Sequence, residues 1–192
     1  MKPRINTARD TGNRRASNNQ MKESGDQMDS NRNELHELFL DELADIYNAE
    51  KQLTKALPRM AKAAQTPELR QAFETHLRET ENQIKRLEQA AEALDESLKR
   101  KKCKAMEGLL AEGKEILEEQ KGSSALDAGL IAAAQKVEHY EIATYGTLCR
   151  WAELMGHTEA LNLLKQNLAE EKSTDEKLTQ VAERTANVQA QS

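Results

Sequence analysis

Four stretches of this sequence each place acidic residues in the middle of an otherwise apolar stripe, and this pattern limits the fold more than any other feature. Each stripe advances in steps of three and four residues, so it lies on one face of a helix. The polar residues at the stripe centres are Glu50, then His76 and Glu79, then Glu138 and Glu141, and finally Glu171 and Asp175. A buried, ionised carboxylate is costly unless it is paired or binds a metal. The pattern therefore predicts one shared polar site inside a helical bundle.

The composition agrees with an all-helical chain. Aromatic residues make up 3% of the 192 residues, with only 8 Gly and 3 Pro, while good helix formers dominate. No segment alternates apolar and polar residues over the length of a strand, so we expect no sheet. No apolar run reaches the roughly 18–20 residues that a membrane span needs, so we expect no membrane partner.

Caps and breakers divide the chain into helices. We expect long helices over about 33–64, 66–94, 124–155 and 158–185, with a short helix ending near residue 120. Pro58 should kink or end the first helix. The expected N-caps are Thr66, Ser124 and Thr158. The first and third connections are short and the second is long. These lengths predict an all-α, ferritin-like antiparallel four-helix bundle over residues 33–185, with a crossover that contains a short extra helix.

The spacing of the acids around the turns supports a single site. In an antiparallel hairpin, residues at equal distances from the turn lie side by side. Glu50 and Glu79 lie at nearly equal distances from a turn near Gln65. The acids of the third and fourth helices are likewise equally spaced about Gly156. Both hairpins therefore carry their acids at matching heights.

The residue types at this level favour a metal site. The predicted ligands are the seven residues of the four stripes: Glu50, His76, Glu79, Glu138, Glu141, Glu171 and Asp175. This hard, oxygen-rich set suits iron above all, as a pair of ions, and manganese as a second choice. Tyr47, Gln83 and Tyr145 are the predicted hydrogen-bond partners of those ligands. The alternatives are that Glu50 pairs with a neighbouring lysine at the edge of the bundle, that Glu79 is a boundary residue, and that His76 is a satisfied core histidine or a hydrogen-bond donor to a ligand.

The two ends of the chain differ from the bundle. Residues 1–32 contain few large apolar side chains, which predicts a disordered arm, and residues 186–192 are expected to form a flexible tail. Basic residues cluster in the first fifteen positions. They form either a solvated tail or a weak contact to phosphate or DNA, although the net charge of -5 argues against a nucleic-acid-coated surface. Cys103 and Cys149 form no close-spaced motif, as expected of a reduced cytoplasmic protein.

Several segments resemble the YciF/YciE family of bacterial proteins, also called DUF892. They are Tyr47–Leu53, His76–Thr80, Cys103–Leu109, Ile131–Ala143 and Glu170–Asp175, and the resemblance covers residues 34–182. It implies a rubrerythrin-related bundle, a homodimer, and a connection with bacterial stress responses. The standard di-iron pattern contains two Glu-x-x-His motifs. Here the second helix has the reverse order, His76-x-x-Glu79, and the fourth has no histidine, so metal identity and oxidase activity stay open.

Three functions remain after this reasoning. The first is a metal-binding bundle that handles iron, or that consumes peroxide or oxygen during stress as a di-iron oxidoreductase. The second is a non-enzymatic stress dimer with a vestigial polar core. The third is a DNA-associated mini-ferritin-like protein that uses its basic arm.

Overall fold

The structure is a computed structural model that describes the backbone of residues 13–191 and the side chains of residues 34–191. Within these ranges every regular element is helical. The helices are α1 (Asn13–Ala63), α2 (Pro67–Glu92), α3 (Lys104–Glu119), α4 (Leu126–Met155), α5 (Thr158–Val181), a π-helical turn (Ala182–Ala186) and α6 (Asn187–Ala190). None of the described helices is both long enough and apolar enough to cross a membrane.

The chain divides into two units, residues 1–37 and residues 38–192, and the second unit contains the bundle. Helix α1 begins at Asn13, well before the predicted start at Asn33, because no proline interrupts the chain from Asn13 up to Pro58. The helix also passes through Pro58 and ends at Ala63, since proline removes only one backbone donor. Residues 1–12, which hold part of the basic cluster, lie outside the described residues, and the role of the arm stays a prediction.

The predicted fold class is confirmed within the second unit. Helices α1, α2, α4 and α5 share one apolar core, to which α1 contributes Phe39, Leu43, Ile46, Leu53 and Leu57. Helix α4 packs on α5 and on α3, and α2 packs on α5. Polar contacts join α1 to its neighbours: Tyr47 donates to Glu88 on α2, and Tyr145 on α4 donates to Glu50. The result is a ferritin-like four-helix bundle with α3 in the crossover.

One buried carboxylate fixes the turn between α1 and α2. Asp127, in the first turn of α4, is 1% exposed. It accepts hydrogen bonds from the backbone N–H groups of Gln65 and Thr66 and from the Thr66 hydroxyl, each at 2.8 Å. The Thr66 side chain therefore does not cap α2, although Thr66 does occupy the N-cap position. This Asp127 clamp joins the two hairpins.

The other predicted helix ends shift slightly. Ala125 is the N-cap of α4 in place of Ser124, and His157 precedes α5 in place of Thr158. Gly156 ends α4 with a φ of 75°, a conformation that glycine adopts without strain. The predicted flexible tail begins at residue 186, yet Ala186 is completely buried and α6 continues to Ala190. The last apolar residue of the π-helical turn has a core position, so the helical chain does not stop at Thr185.

Candidate metal centre

Four buried ionisable side chains converge in the middle of the bundle. His76 comes from α2, Glu138 and Glu141 from α4, and Glu171 from α5. One ligand atom of each lies within 4.8 Å of the others, and none of the four residues is more than 3% exposed. Helix α4 supplies two of them because residues three apart share a face. We refer to these four residues as the central cluster.

A fourth acid adjoins the central cluster from α1. Glu50 is completely buried, and its Oε1 accepts a 2.5 Å hydrogen bond from the Tyr145 hydroxyl. The Tyr145 oxygen in turn accepts a hydrogen bond from Asn167 Nδ2 at 3.0 Å. The other oxygen of Glu50 has no hydrogen-bond partner among the described residues. Glu50 is thus held at one oxygen and free at the other.

Most polar atoms of the cluster lack hydrogen bonds within the described part of the chain. They include both oxygens of Glu141, both oxygens of Glu171 and Oε2 of Glu138. His76 Nε2 lies 3.2 Å from Glu138 Oε1, which is an ion-pair distance, but neither ring nitrogen has the geometry of a hydrogen bond. Buried polar atoms normally have partners, and leaving them without one is costly. Carboxylate and imidazole groups aimed into one space fit a divalent cation.

The electrostatics of the cluster follow from its burial. Burial raises the pKa of Glu50 from 4.5 to about 7, against the lowering effect of the Tyr145 hydrogen bond. Burial, followed by repulsion from neighbouring carboxylates, raises the pKa of Glu141 and Glu171 well above the usual range. Burial also acts to lower the pKa of His76, but attraction to nearby carboxylates, chiefly Glu138, outweighs it and raises that pKa. The raised pKa values favour the protonated forms of these groups, whereas a bound cation would favour the ionised carboxylates.

Besides Glu50, two predicted ligands lie outside the central cluster. Glu79 is 25% exposed, accepts a hydrogen bond from Thr174 at 3.3 Å and lies 3.6 Å from Lys177. It stands at the edge of the buried stripe of α2, whose inward positions are taken by residues such as His76 and Thr80.

Asp175 has a similar position on α5. It is 24% exposed, accepts a hydrogen bond from Gln135 at 3.1 Å and lies 3.5 Å from His139. Thr174 takes the buried position next to it. Both carboxylates therefore face the solvent edge of the bundle, where neighbouring polar groups already bind them.

Of the three predicted hydrogen-bond partners, only Tyr145 contacts a predicted ligand. Tyr145 contacts Glu50, as described above. Gln83 is fully buried, but its amide makes no hydrogen bond to the described residues. Tyr47 donates to Glu88 at 2.7 Å and therefore does not support a residue of the cluster. Sequence reasoning missed Asn167, whose position one helical turn before Glu171 was the available signal.

Comparisons with known proteins agree with this architecture. Residues 34–191 match a family described as "Domain of unknown function (DUF892)". The protein YciF of Escherichia coli K12 is 49% identical over 158 residues, which are 82% of this chain and 95% of that protein.

Solved structures give the same result. The crystal structure of the E. coli stress protein YciF is similar with a TM-score of 0.77 at 50% identity, covering 80% of this chain and 97% of the other. The protein YcfI of Rhodopseudomonas palustris, described there as a structural protein, gives a TM-score of 0.73 at 45% identity, covering 77% and 94%. A Xanthomonas campestris protein at 24% identity, with a TM-score of 0.62 over 78% of this chain and 91% of its own, shares the fold.

The fold and the central cluster define a ferritin-like helical bundle with a buried carboxylate and histidine group that can hold a metal ion. The chain belongs to the DUF892 family.

Proposed function

We propose that this protein binds a pair of iron ions, with manganese as the second choice, in the middle of the bundle. The observation that carries the proposal is that four buried residues each place a ligand atom within 4.8 Å of the others. Most carboxylate oxygens of these residues have no hydrogen-bond partner among the described residues. A group of neutralised, hydrogen-bonded acids would need no cation. The orphaned oxygens of Glu141 and Glu171 favour a metal site.

The ligands divide naturally between the helices. Glu138, Glu141, Glu171 and His76 would hold the metal, and the free oxygen of Glu50 would complete the set from α1. Bound iron would supply one-electron redox chemistry toward peroxide or oxygen. With a single imidazole, the donor set is almost entirely carboxylate, which suits hard ions.

The chain's own residues prepare this site. Tyr145 and Asn167 fix the position of Glu50 through consecutive hydrogen bonds. The raised pKa values of Glu141 and Glu171 favour their protonated forms, so a cation would compete with protons for these carboxylates. The four cluster residues are at most 3% exposed, so bulk solvent would screen their charges from a bound cation less than at the surface.

The biological setting is proposed from the relatives. One solved relative is described as a stress protein, and we propose that this protein also acts in a bacterial stress response by handling iron or peroxide. The homodimer and the cytoplasmic location expected from the sequence remain predictions.

Metal analysis with paired variants tests the proposal. The protein is purified without oxygen, incubated with ferrous iron and desalted. We expect about two irons per chain, lost in Glu138→Ala/Glu171→Ala and retained in Glu79→Ala/Asp175→Ala. The control pair removes two acids of the same kind from outside the cluster. Absence of iron and manganese from every folded protein would overturn the proposal and leave a structural stress protein with a protonated polar core.

A further inference from the structure

A series of hydrogen bonds runs from the surface of the bundle to the buried carboxylate of Glu50. It begins at Arg86 on α2 and passes through Asn167 on α5 and Tyr145 on α4 to Glu50 on α1. Arg86 and its partner Glu170 are 18% and 28% exposed, whereas the other three residues are completely buried. We call these five residues the Arg86 network. The network connects a surface ion pair to a side chain beside the central cluster.

The surface end of the network is held by an ion pair with two hydrogen bonds. Arg86 Nη1 donates to Glu170 Oε2 at 2.7 Å, and Nη2 donates to Oε1 at 2.6 Å. Two parallel hydrogen bonds fix the plane of a guanidinium as a single contact does not. The same Nη1 also donates to Asn167 Oδ1 at 2.8 Å. Glu170 therefore holds Arg86 in place, and Arg86 holds the amide oxygen of Asn167.

The chemistry of Arg86 sets the direction of the hydrogen bonds that follow. A guanidinium has only donors, so it faces the amide oxygen of Asn167, and the amide nitrogen is left to face Tyr145. That nitrogen also only donates, so the Tyr145 oxygen accepts at 3.0 Å and its single proton is available for Glu50 Oε1. If the Asn167 amide turned over, its oxygen would compete with Glu50 for the Tyr145 proton.

We propose that Arg86 positions the Glu50 carboxylate for metal binding by fixing the orientation of Asn167. The metal binding in this inference rests on the proposed function. Tyr145 holds Oε1 of Glu50, whereas Oε2 has no hydrogen-bond partner among the described residues and is left for a cation. Side chains that orient a metal ligand typically change metal affinity by about 10–100-fold when they are removed. Arg86 is thus a positioning residue that acts through two other side chains.

NMR of the full-length protein, with chelator present, tests the network without metal. Tyrosine that is isotope-labelled at Cζ reports hydrogen bonding of the hydroxyl, and Tyr145→Phe identifies the Tyr145 signal. Arg86→Met keeps the length of the side chain without its donors and should shift that signal. Arg86→Lys keeps a charged donor and should restore part of the shift. The matched control Arg78→Met removes an exposed arginine of α2 that donates to Thr75, and it should leave the signal unchanged.

Anaerobic titration of the same variants with ferrous iron tests the consequence for the metal site. Arg86→Met should bind iron about 10–100-fold more weakly, Arg86→Lys should lie between it and the unchanged protein, and Arg78→Met should bind normally. Circular dichroism checks that each variant is folded. If Arg86→Met loses helix, the comparison of Arg86→Lys with Arg78→Lys decides, because both keep the positive charge.

The outcomes separate this inference from the proposed function. An unshifted Tyr145 signal in folded Arg86→Met overturns the inference whether or not the protein binds iron. A shifted signal with normal iron affinity also overturns it, because the network would then not govern metal binding. If the unchanged protein binds neither iron nor manganese, the proposed function fails, and the claim that Arg86 positions Glu50 for a metal fails with it.

Discussion

Two groups of buried carboxylates in this bundle have opposite surroundings. Asp127 accepts three hydrogen bonds from the turn between α1 and α2. Glu141 and Glu171 are equally buried, but none of their oxygens has a hydrogen-bond partner in the described residues. Burial alone therefore does not reveal the role of an acid. The number of donors around it separates a carboxylate that holds the fold from one that is free to bind a cation.

The largest expected effect is at the Asp127 clamp. Asp127→Ala removes the acceptor of the Gln65 N–H group and of the buried Thr66 N–H and hydroxyl groups, so it should lower the free energy of unfolding by about 3 kcal/mol. Asp127→Asn keeps one acceptor and should lose less. Urea unfolding followed by circular dichroism measures both changes. A loss under about 0.5 kcal/mol for Asp127→Ala, the range of an ordinary surface change, would contradict this account.

When a chelator keeps metal away, the stability that the central cluster contributes should fall as the pH rises. The pKa of Glu50 is raised from 4.5 in the unfolded chain to about 7 in the fold, so the folded state holds a proton that the unfolded chain releases. Its contribution to stability is complete below about pH 4.5 and is lost as the pH rises through about 7. The raised pKa values of Glu141, Glu171 and His76 have the same sign.

Unfolding midpoints in urea at about pH 5 and about pH 8 measure this dependence. We expect the midpoint to fall at the higher pH, and Glu141→Gln/Glu171→Gln to reduce the fall because glutamine does not ionise. Added iron should reverse the trend, since the cation binds the ionised carboxylates. A midpoint that rises with pH in the presence of chelator would contradict the raised pKa values of the cluster residues.

A smaller effect is expected at Tyr145. Tyr145→Phe removes the hydrogen bonds to Glu50 and from Asn167 and should cost about 1 kcal/mol of stability. Because the Tyr145 hydrogen bond lowers the pKa of Glu50, that pKa should rise further in the variant. Carbon-detected NMR titration of the Glu50 carboxyl, with chelator present, reports the change. An unchanged titration would mean that Tyr145 does not set the charge of Glu50.

The smallest effect should come from Glu79. Glu79→Gln removes one partly exposed charge near Lys177, a kind of pair that contributes at most about 1 kcal/mol. The unfolding midpoint and the iron content should both stay close to those of the unchanged protein. Loss of iron in Glu79→Gln would place this carboxylate among the ligands and contradict its position outside the central cluster.

The sequence predicted the bundle well because helical periodicity and short turns are local signals. It also predicted His76, Glu138, Glu141 and Glu171 as a group, since equal distances from a turn bring residues together in an antiparallel hairpin. It could not separate Glu79 and Asp175 from that group. A stripe defines a face of a helix, but the neighbouring helix decides whether a residue at the edge of that face is covered.

Contacts between residues far apart in the chain could not be predicted from local sequence patterns. Asp127 lies 61 residues from Thr66 in the chain, and its sequence context is that of an ordinary acid in the first turn of a helix. The far end of the chain shows the same limit. The sequence analysis predicted a flexible tail after Thr185, whereas Ala186 has a place in the core that only the packed structure reveals.

The Asp127 clamp also sets the axial alignment of the two hairpins. It ties the start of α4 to the turn between α1 and α2, and Glu138 and Glu141 lie about three to four turns further along α4. A slip of one helical turn would displace a side chain by about 5.4 Å, which exceeds the 4.8 Å span of the central cluster. A clamp at one end of the bundle thus helps to set the height of the central cluster, which it does not contact.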